Sequence, residues 1–197
     1  SMRGGAPHEA ERGLSTAMDR LEEPDKSEAL LLLGEALQEQ GRMQESVEFL
    51  DAVSSTARAA VLSRRNVLRL YAEHSVGKPT LEENRRLALR LLAEARSAIE
   101  VNTRLRALWM AATFFRDIRE PSLLAEVQAC LDRETWEELS IEDRGEYALG
   151  RAFCLYSSDD QLRSMDAVTG ILGELESQGI ANSVSLRLVV GLSAIHS

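Results

Sequence analysis

LLLLGEALQEQGRMQESVEFLDAV, residues 30–53, puts a glycine in the middle of a leucine-rich helical pattern and another at the end of it. Alanine is favoured over glycine inside a helix by about 0.8–1.0 kcal/mol, so Gly34 needs a reason other than propensity. Leu30, Leu33 and Leu37 recur on one helical face. Upstream, Asp25-Lys26-Ser27-Glu28 has the capping-box pattern, in which a side chain at the N-cap and a Glu three residues on satisfy orphan N–H groups. Gly41 is expected to end the helix as a left-handed residue just past the C-cap. Val47, Leu50 and Val53 then mark the apolar stripe of a second helix. A link this short folds the two back on each other as an antiparallel hairpin.

The rest of the chain reads the same way. Helices are expected over about 57–75, ending at Gly77, and over about 81–99 behind a Thr80-Leu81-Glu82-Glu83 cap. The next runs from Thr103 to about Ile118, and Pro121 fits the first turn of a helix over about 121–131. A short segment bearing Trp136 leads to a second cap pattern at Ser140-Ile141-Glu142-Asp143, and helices over about 141–156, 160–177 and 183–196 follow. Apolar spacing is three and four throughout, so the fold class is all-α.

A large residue followed by a small one recurs as Leu33-Gly34, Tyr71-Ala72, Met110-Ala111 and Leu149-Gly150, at intervals of 38, 39 and 39 residues. Each pair falls mid-helix in the first helix of an expected hairpin. Val190-Gly191 continues the series on the last helix. The expected hairpins are about 25–55, 57–100, 103–138 and 140–178, within one domain over 7–197 preceded by a disordered tail over 1–6. Ser1 ahead of Met2 reads as a tag remnant.

With Leu30, Leu33, Gly34, Leu37, Ser46, Leu50 and Val53 in this register, the opening stretch resembles a tetratricopeptide (TPR) repeat. The later hairpins have longer turns, with Ala88, Ala125 and Ala167 as their second-helix small residues, and the proline that usually closes a repeat is absent at Arg58. The resemblance implies a right-handed α-solenoid of about four antiparallel hairpins plus a terminal helix. In that family small residues let facing helices approach closely, and the first helices line a concave groove. Carried onto this chain, the groove positions include Asn66, Arg69 and Glu73, then Leu108, Phe115 and Arg116, then Arg144, Tyr147 and Arg151. Their arginines suit an acidic or C-terminal peptide segment, because guanidinium pairs with carboxylate and stacks on rings. The alternative is that Phe115, Leu108 and Tyr147 are core and the arginines merely solvated.

Composition narrows the function class. Residues 1–60 hold 6 basic and 12 acidic side chains, 61–119 hold 12 and 6, and 120–197 hold 5 and 14. A net charge of −9 argues against general nucleic-acid or anionic-membrane affinity. No run is apolar enough for a membrane span. His8, His74 and His196 are scattered, and Gly77-Lys78-Pro79-Thr80 lacks the upstream glycine of a phosphate loop. No catalytic residue, metal site or cofactor is expected. Cys130 and Cys154 read as buried, inert thiols of a cytoplasmic protein.

The leading expectation is therefore a non-enzymatic scaffold that binds a protein or peptide. The second is a regulatory or ligand-sensing helical arm of a multidomain bacterial signalling or transcription regulator. The nearly wholly apolar last helix, with Val184, Leu186, Leu188, Val189, Val190, Leu192 and Ile195, reads either as half of an unfinished hairpin in a longer protein or as a homodimer contact.

Overall fold

The computed structural model describes residues 7–77, 79–156 and 177, and every regular element among them is helical. The expected tail over 1–6, the final helix over 183–196, the small residues Ala167 and Gly191, and all but Ser177 of the expected helix over 160–177 lie outside the described residues. Two compact units meet in sequence at Thr80/Leu81, a boundary that falls inside the second expected hairpin.

The first unit contains α1 (Pro7–Ala17), a 3-10 turn (Met18–Arg20), α2 (Asp25–Glu39), α3 (Met43–Asp51) and α4 (Ala59–Val76). Helix α2 packs against all three of the others. Its core is Leu30, Leu31, Leu50, Val53, Val61 and Leu68, with Met18, Phe49 and Ala57 closed around them. Each fully buried leucine side chain contributes roughly 1.5–3 kcal/mol through removal of apolar surface from water.

The hairpin read from residues 30–53 is present, and Gly34 is its closest approach. A Cβ built on Gly34 would stand 2.7 Å from Cγ and Cδ2 of Leu50. The buried Ser46 hydroxyl on α3 donates to the Gly34 carbonyl at 2.8 Å, and Gln38 Nε2 donates to Ser46 Oγ at 3.1 Å and to the Leu68 carbonyl at 2.8 Å. The absent side chain thus lets a hydroxyl reach backbone that helix packing would otherwise hide. Gly41 has φ +76°, with Arg42 N–H on the Leu37 carbonyl (2.9 Å) and Gly41 N–H on that of Gln38 (3.0 Å), the two bonds of a Schellman C-cap.

The capping box expected at Asp25 does not form. Pro24 is the N-cap, and the Ser27 hydroxyl donates instead to Glu23 Oε2 at 2.6 Å while Glu28 pairs with Arg58. The first amides of α2 find backbone acceptors, Lys26 N–H on Glu22 and Glu28 N–H on Pro24. Helix α1 is an addition to the sequence reading. Its Glu11 accepts Arg42 Nη1 at 2.8 and 2.9 Å, and the Arg42 guanidinium is held charged by Glu45 first and then by Glu11.

The second unit contains α5 (Leu81–Ser97), α6 (Val101–Ile118), α7 (Pro121–Leu131), a 3-10 turn (Trp136–Glu138) and α8 (Ile141–Tyr156). Helix α6 is central, packed by α5, α7 and α8, and residues 105–112 are buried on every side of it. Pro121 occupies the first turn of α7, and Ser140 caps α8: its hydroxyl accepts the Asp143 N–H at 3.2 Å and donates to Asp143 Oδ2 at 2.7 Å. The recurrent small residues Gly34, Ala72, Ala111 and Gly150 are all buried, as is Ala88, whereas Ala125 is exposed. Ala125 therefore carries no close packing, because α7 turns Leu124, Val127 and Leu131 inward instead. Gly150 faces Leu131 of the preceding helix, whose methyls lie 3.0 and 3.1 Å from its virtual Cβ.

Helix α6 ends on Arg119 at φ +57°, with Glu120 N–H on the Phe115 carbonyl at 3.2 Å. A side chain with Cβ in the left-handed region costs about 1 kcal/mol, which glycine avoids. Arg119→Gly is expected to raise stability by about 0.5–1 kcal/mol, read as a shifted urea midpoint at unchanged slope. A lower midpoint would mean that the arginine side chain contributes more than its backbone strain removes.

Candidate functional site

The expected groove residues divide between the two units. On α4, Arg69 sits between the carboxylates of Asp51 and Glu73, and its guanidinium is held charged chiefly by the hydrogen bond to Asp51. Asn66 Oδ1 accepts Nε and Nη2 of Arg65 at 3.2 and 2.8 Å. The positive charge of Arg69 is thus answered inside its own unit.

In the second unit, Phe115 and Leu108 are fully buried and belong to the core. Phe115 lies on the inward side of α6, so it lines no groove. Arg116 is on α6, and its side chain lies outside the described residues. Arg144, Tyr147 and Arg151 come together on one face of α8, at a spacing of three and four residues.

Tertiary structure adds Trp136 to that face. The turn over Trp136–Glu138 folds back so that Arg144 Nε donates to the Trp136 carbonyl at 3.2 Å and the guanidinium lies 5.1 Å from the indole centroid. Trp136 meets Tyr147 at 5.7 Å and a tilt of 58°, and the Arg151 guanidinium stands 5.8 Å from the Tyr147 ring. Arg151 is capped in turn by Asp132. The result is a ladder, Arg144–Trp136–Tyr147–Arg151, whose four side chains are all half-buried. Each cation–ring contact at such a site is worth about 0.5–1 kcal/mol, so the two together bias the ring orientations before anything binds.

No family model, curated protein or solved structure matches the chain.

A second polar cluster, absent from the sequence reading, lies inside the same unit. Arg106 on α6 and Glu146 on α8 are buried, their side chains 3% and 2% exposed, and Nη2 donates to Oε1 at 3.1 Å. Trp109 Nε1 donates to the other carboxylate oxygen at 2.6 Å, and its ring stacks on Phe153 at 6.2 Å. Glu146 falls on the same stripe as Leu149 and Phe153, and a carboxylate on an apolar stripe is the sequence signal that could have marked it. The cluster is closed to ligands, whereas the ladder faces solvent. Among the described residues no three His, Cys, Asp or Glu side chains gather to hold a metal, and no helix is long and apolar enough to cross a membrane.

The thiols differ from one another. Cys154 is buried with Sγ 4.0 Å from the Leu124 carbonyl, while Cys130 is half-buried. Burial pushes the Cys154 thiol from 9.0 up to about 12, with Asp132 adding to the rise and Arg151 opposing it. The native state therefore keeps a proton that the unfolded state releases. This contribution to stability is intact below pH 9 and is lost as pH rises from about 9 towards 12. Maleimide at neutral pH is expected to label Cys130 first and Cys154 only on unfolding, as mass spectrometry of the labelled peptides will report. Equal labelling rates in the native protein would contradict the burial of Cys154.

Proposed function

We propose that the chain is a non-enzymatic protein-interaction module of TPR-like helical hairpins, stacked as a right-handed solenoid, that takes a peptide or protein segment on the face of α8. The TPR-like part of the reading is supported by the first hairpin, where Gly34 meets Leu50 and Ser46 reaches the Gly34 carbonyl. The interaction part is carried by one observation: the half-buried Arg144–Trp136–Tyr147–Arg151 ladder. Tryptophan, tyrosine and arginine are the residue types that dominate binding energy at protein interfaces, and here they are already held in place.

A displayed peptide library panned on the protein tests this reading. Enriched peptides should lose about 2 kcal/mol or more, roughly thirtyfold in Kd, against Trp136→Ala combined with Tyr147→Ala, with helicity by circular dichroism unchanged. Enriched peptides that bind the double variant as well as the wild type would place the interaction elsewhere.

A further inference from the structure

We propose that the segment taken by this ladder is a proline-rich stretch in polyproline II conformation flanked by lysine or arginine. The inference rests on the interaction-module reading and specifies its partner. It departs from the acidic peptide that the arginines first suggest.

Both ladder arginines are already engaged. Arg151 is paired with Asp132, and Arg144 spends its Nε–H on the Trp136 carbonyl. Arg104 takes Glu134 through two bonds of 2.7 and 3.0 Å, and Asp143 is engaged by Asn102 and Ser140. Glu137 and Glu138 follow Trp136 in its turn and Glu142 stands in the first turn of α8, all exposed, with Arg133 an exposed cation shortly before them, and Asp132 is 56% exposed even while paired. A carboxylate-rich ligand would meet this rim at a cost, and so would a nucleic-acid backbone. A cationic flank would be attracted.

Two neutral donors remain. Among the described residues, neither the Trp136 indole N–H nor the Tyr147 hydroxyl has a hydrogen-bond partner. Both sit at the edge of aromatic rings fixed by guanidinia. They call for acceptors that carry no charge and no internal hydrogen bonds, presented by a chain that packs on rings. Polyproline II offers these: its carbonyls are free, and its residues advance about 3.1 Å each, so carbonyls two residues apart lie about 6 Å apart. The Trp136 and Tyr147 rings stand side by side with centroids 5.7 Å apart, a surface on which prolines can pack. The free carbonyls of polyproline II suit the indole N–H and the phenol, with prolines against the rings. A preformed polyproline II helix also loses little entropy on docking.

The test uses the full chain and fluorescently labelled peptides of equal length, read by anisotropy. One carries spaced prolines with a lysine flank, one has those prolines replaced by alanine, and one is an acidic sequence without proline. The proline–lysine peptide is expected to bind, the alanine version to bind at least about tenfold more weakly, and Trp136→Phe and Tyr147→Phe each to weaken the first about five- to tenfold. These variants keep the ring and remove only the donor, and circular dichroism reports that they stay folded. If the acidic peptide binds best and Trp136→Ala with Tyr147→Ala abolishes it, the polyproline inference is overturned and the interaction-module reading stands. If no peptide binds, or if labelled oligouridylate binds in their place, both are overturned.

Discussion

Glu146→Leu is expected to cost about 3–5 kcal/mol of stability, the largest effect of any single substitution considered for this chain. The change strips Arg106 of its Oε1 acceptor and Trp109 of its Oε2 acceptor at once, in a place where both donors are buried. A guanidinium left in the interior without its carboxylate bears most of the cost, and an orphaned indole N–H adds about 1–3 kcal/mol. Pairing the change with Arg106→Met should recover all but the indole part, since two apolar side chains of similar volume replace a desolvated ion pair. Equilibrium urea unfolding of the two single variants and the double reads the coupling directly. A double variant no more stable than Glu146→Leu alone would show that the loss comes from packing around α8 and not from the stranded charge.

Gly34→Leu carries the next largest expectation, a loss of about 3 kcal/mol. A Cβ alone would lie 2.7 Å from Cγ of Leu50, which is fully buried and cannot swing aside like a flexible tip. Helix α3 must move off, taking the Ser46 hydroxyl away from the Gly34 carbonyl. The helix propensity gained on losing glycine, about 1 kcal/mol, does not offset this. Trimming the neighbour with Leu50→Ala should restore part of the loss in the double variant, because the new side chain then fills the space vacated. If Gly34→Leu instead raised the midpoint, α2 and α3 would not touch at this residue. Gly150→Ala is a milder case, since the Leu131 methyls need to give by only a few tenths of an ångström.

The places where the sequence could be read were those governed by local chemistry. A glycine with φ > 0 at Gly41, a proline opening α7 and a Ser–Asp pair opening α8 each act over a few residues, and each stands where expected. The periodic small residues were legible for the same reason, since burial at Gly34, Ala72, Ala111 and Gly150 follows from helical phase. What misled was decided outside the pattern being read, by partners near or far in sequence or by the backbone. Asp25-Lys26-Ser27-Glu28 has a capping pattern, but Glu28 is drawn off to Arg58 and Ser27 to Glu23. Arg119 carries out a glycine's task without a glycine to announce it. In the candidate site, Arg144, Tyr147 and Arg151 could be grouped by phase alone, while Trp136 joins them only because its turn folds back over α8. Phe115 shares the groove's phase yet is core, because α6 is enclosed by three helices and has no outward face there.

The cross-helix ion pairs have a consequence that their energies do not convey. Arg64 reaches from α4 to Glu35 on α2, Arg96 from α5 to Glu126 on α7, and Arg106 from α6 to Glu146 on α8. The exposed pair between α5 and α7 is worth a fraction of a kcal/mol, and the buried ones roughly break even against apolar substitutes. Yet leucine and alanine make up most of the apolar side chains these helices bury, and such residues discriminate little between one helix face and another. A helix docked in the wrong place would strand a guanidinium against a leucine. The charges therefore serve as addresses: they add little to how tightly the helices hold, and they determine which helix is held by which.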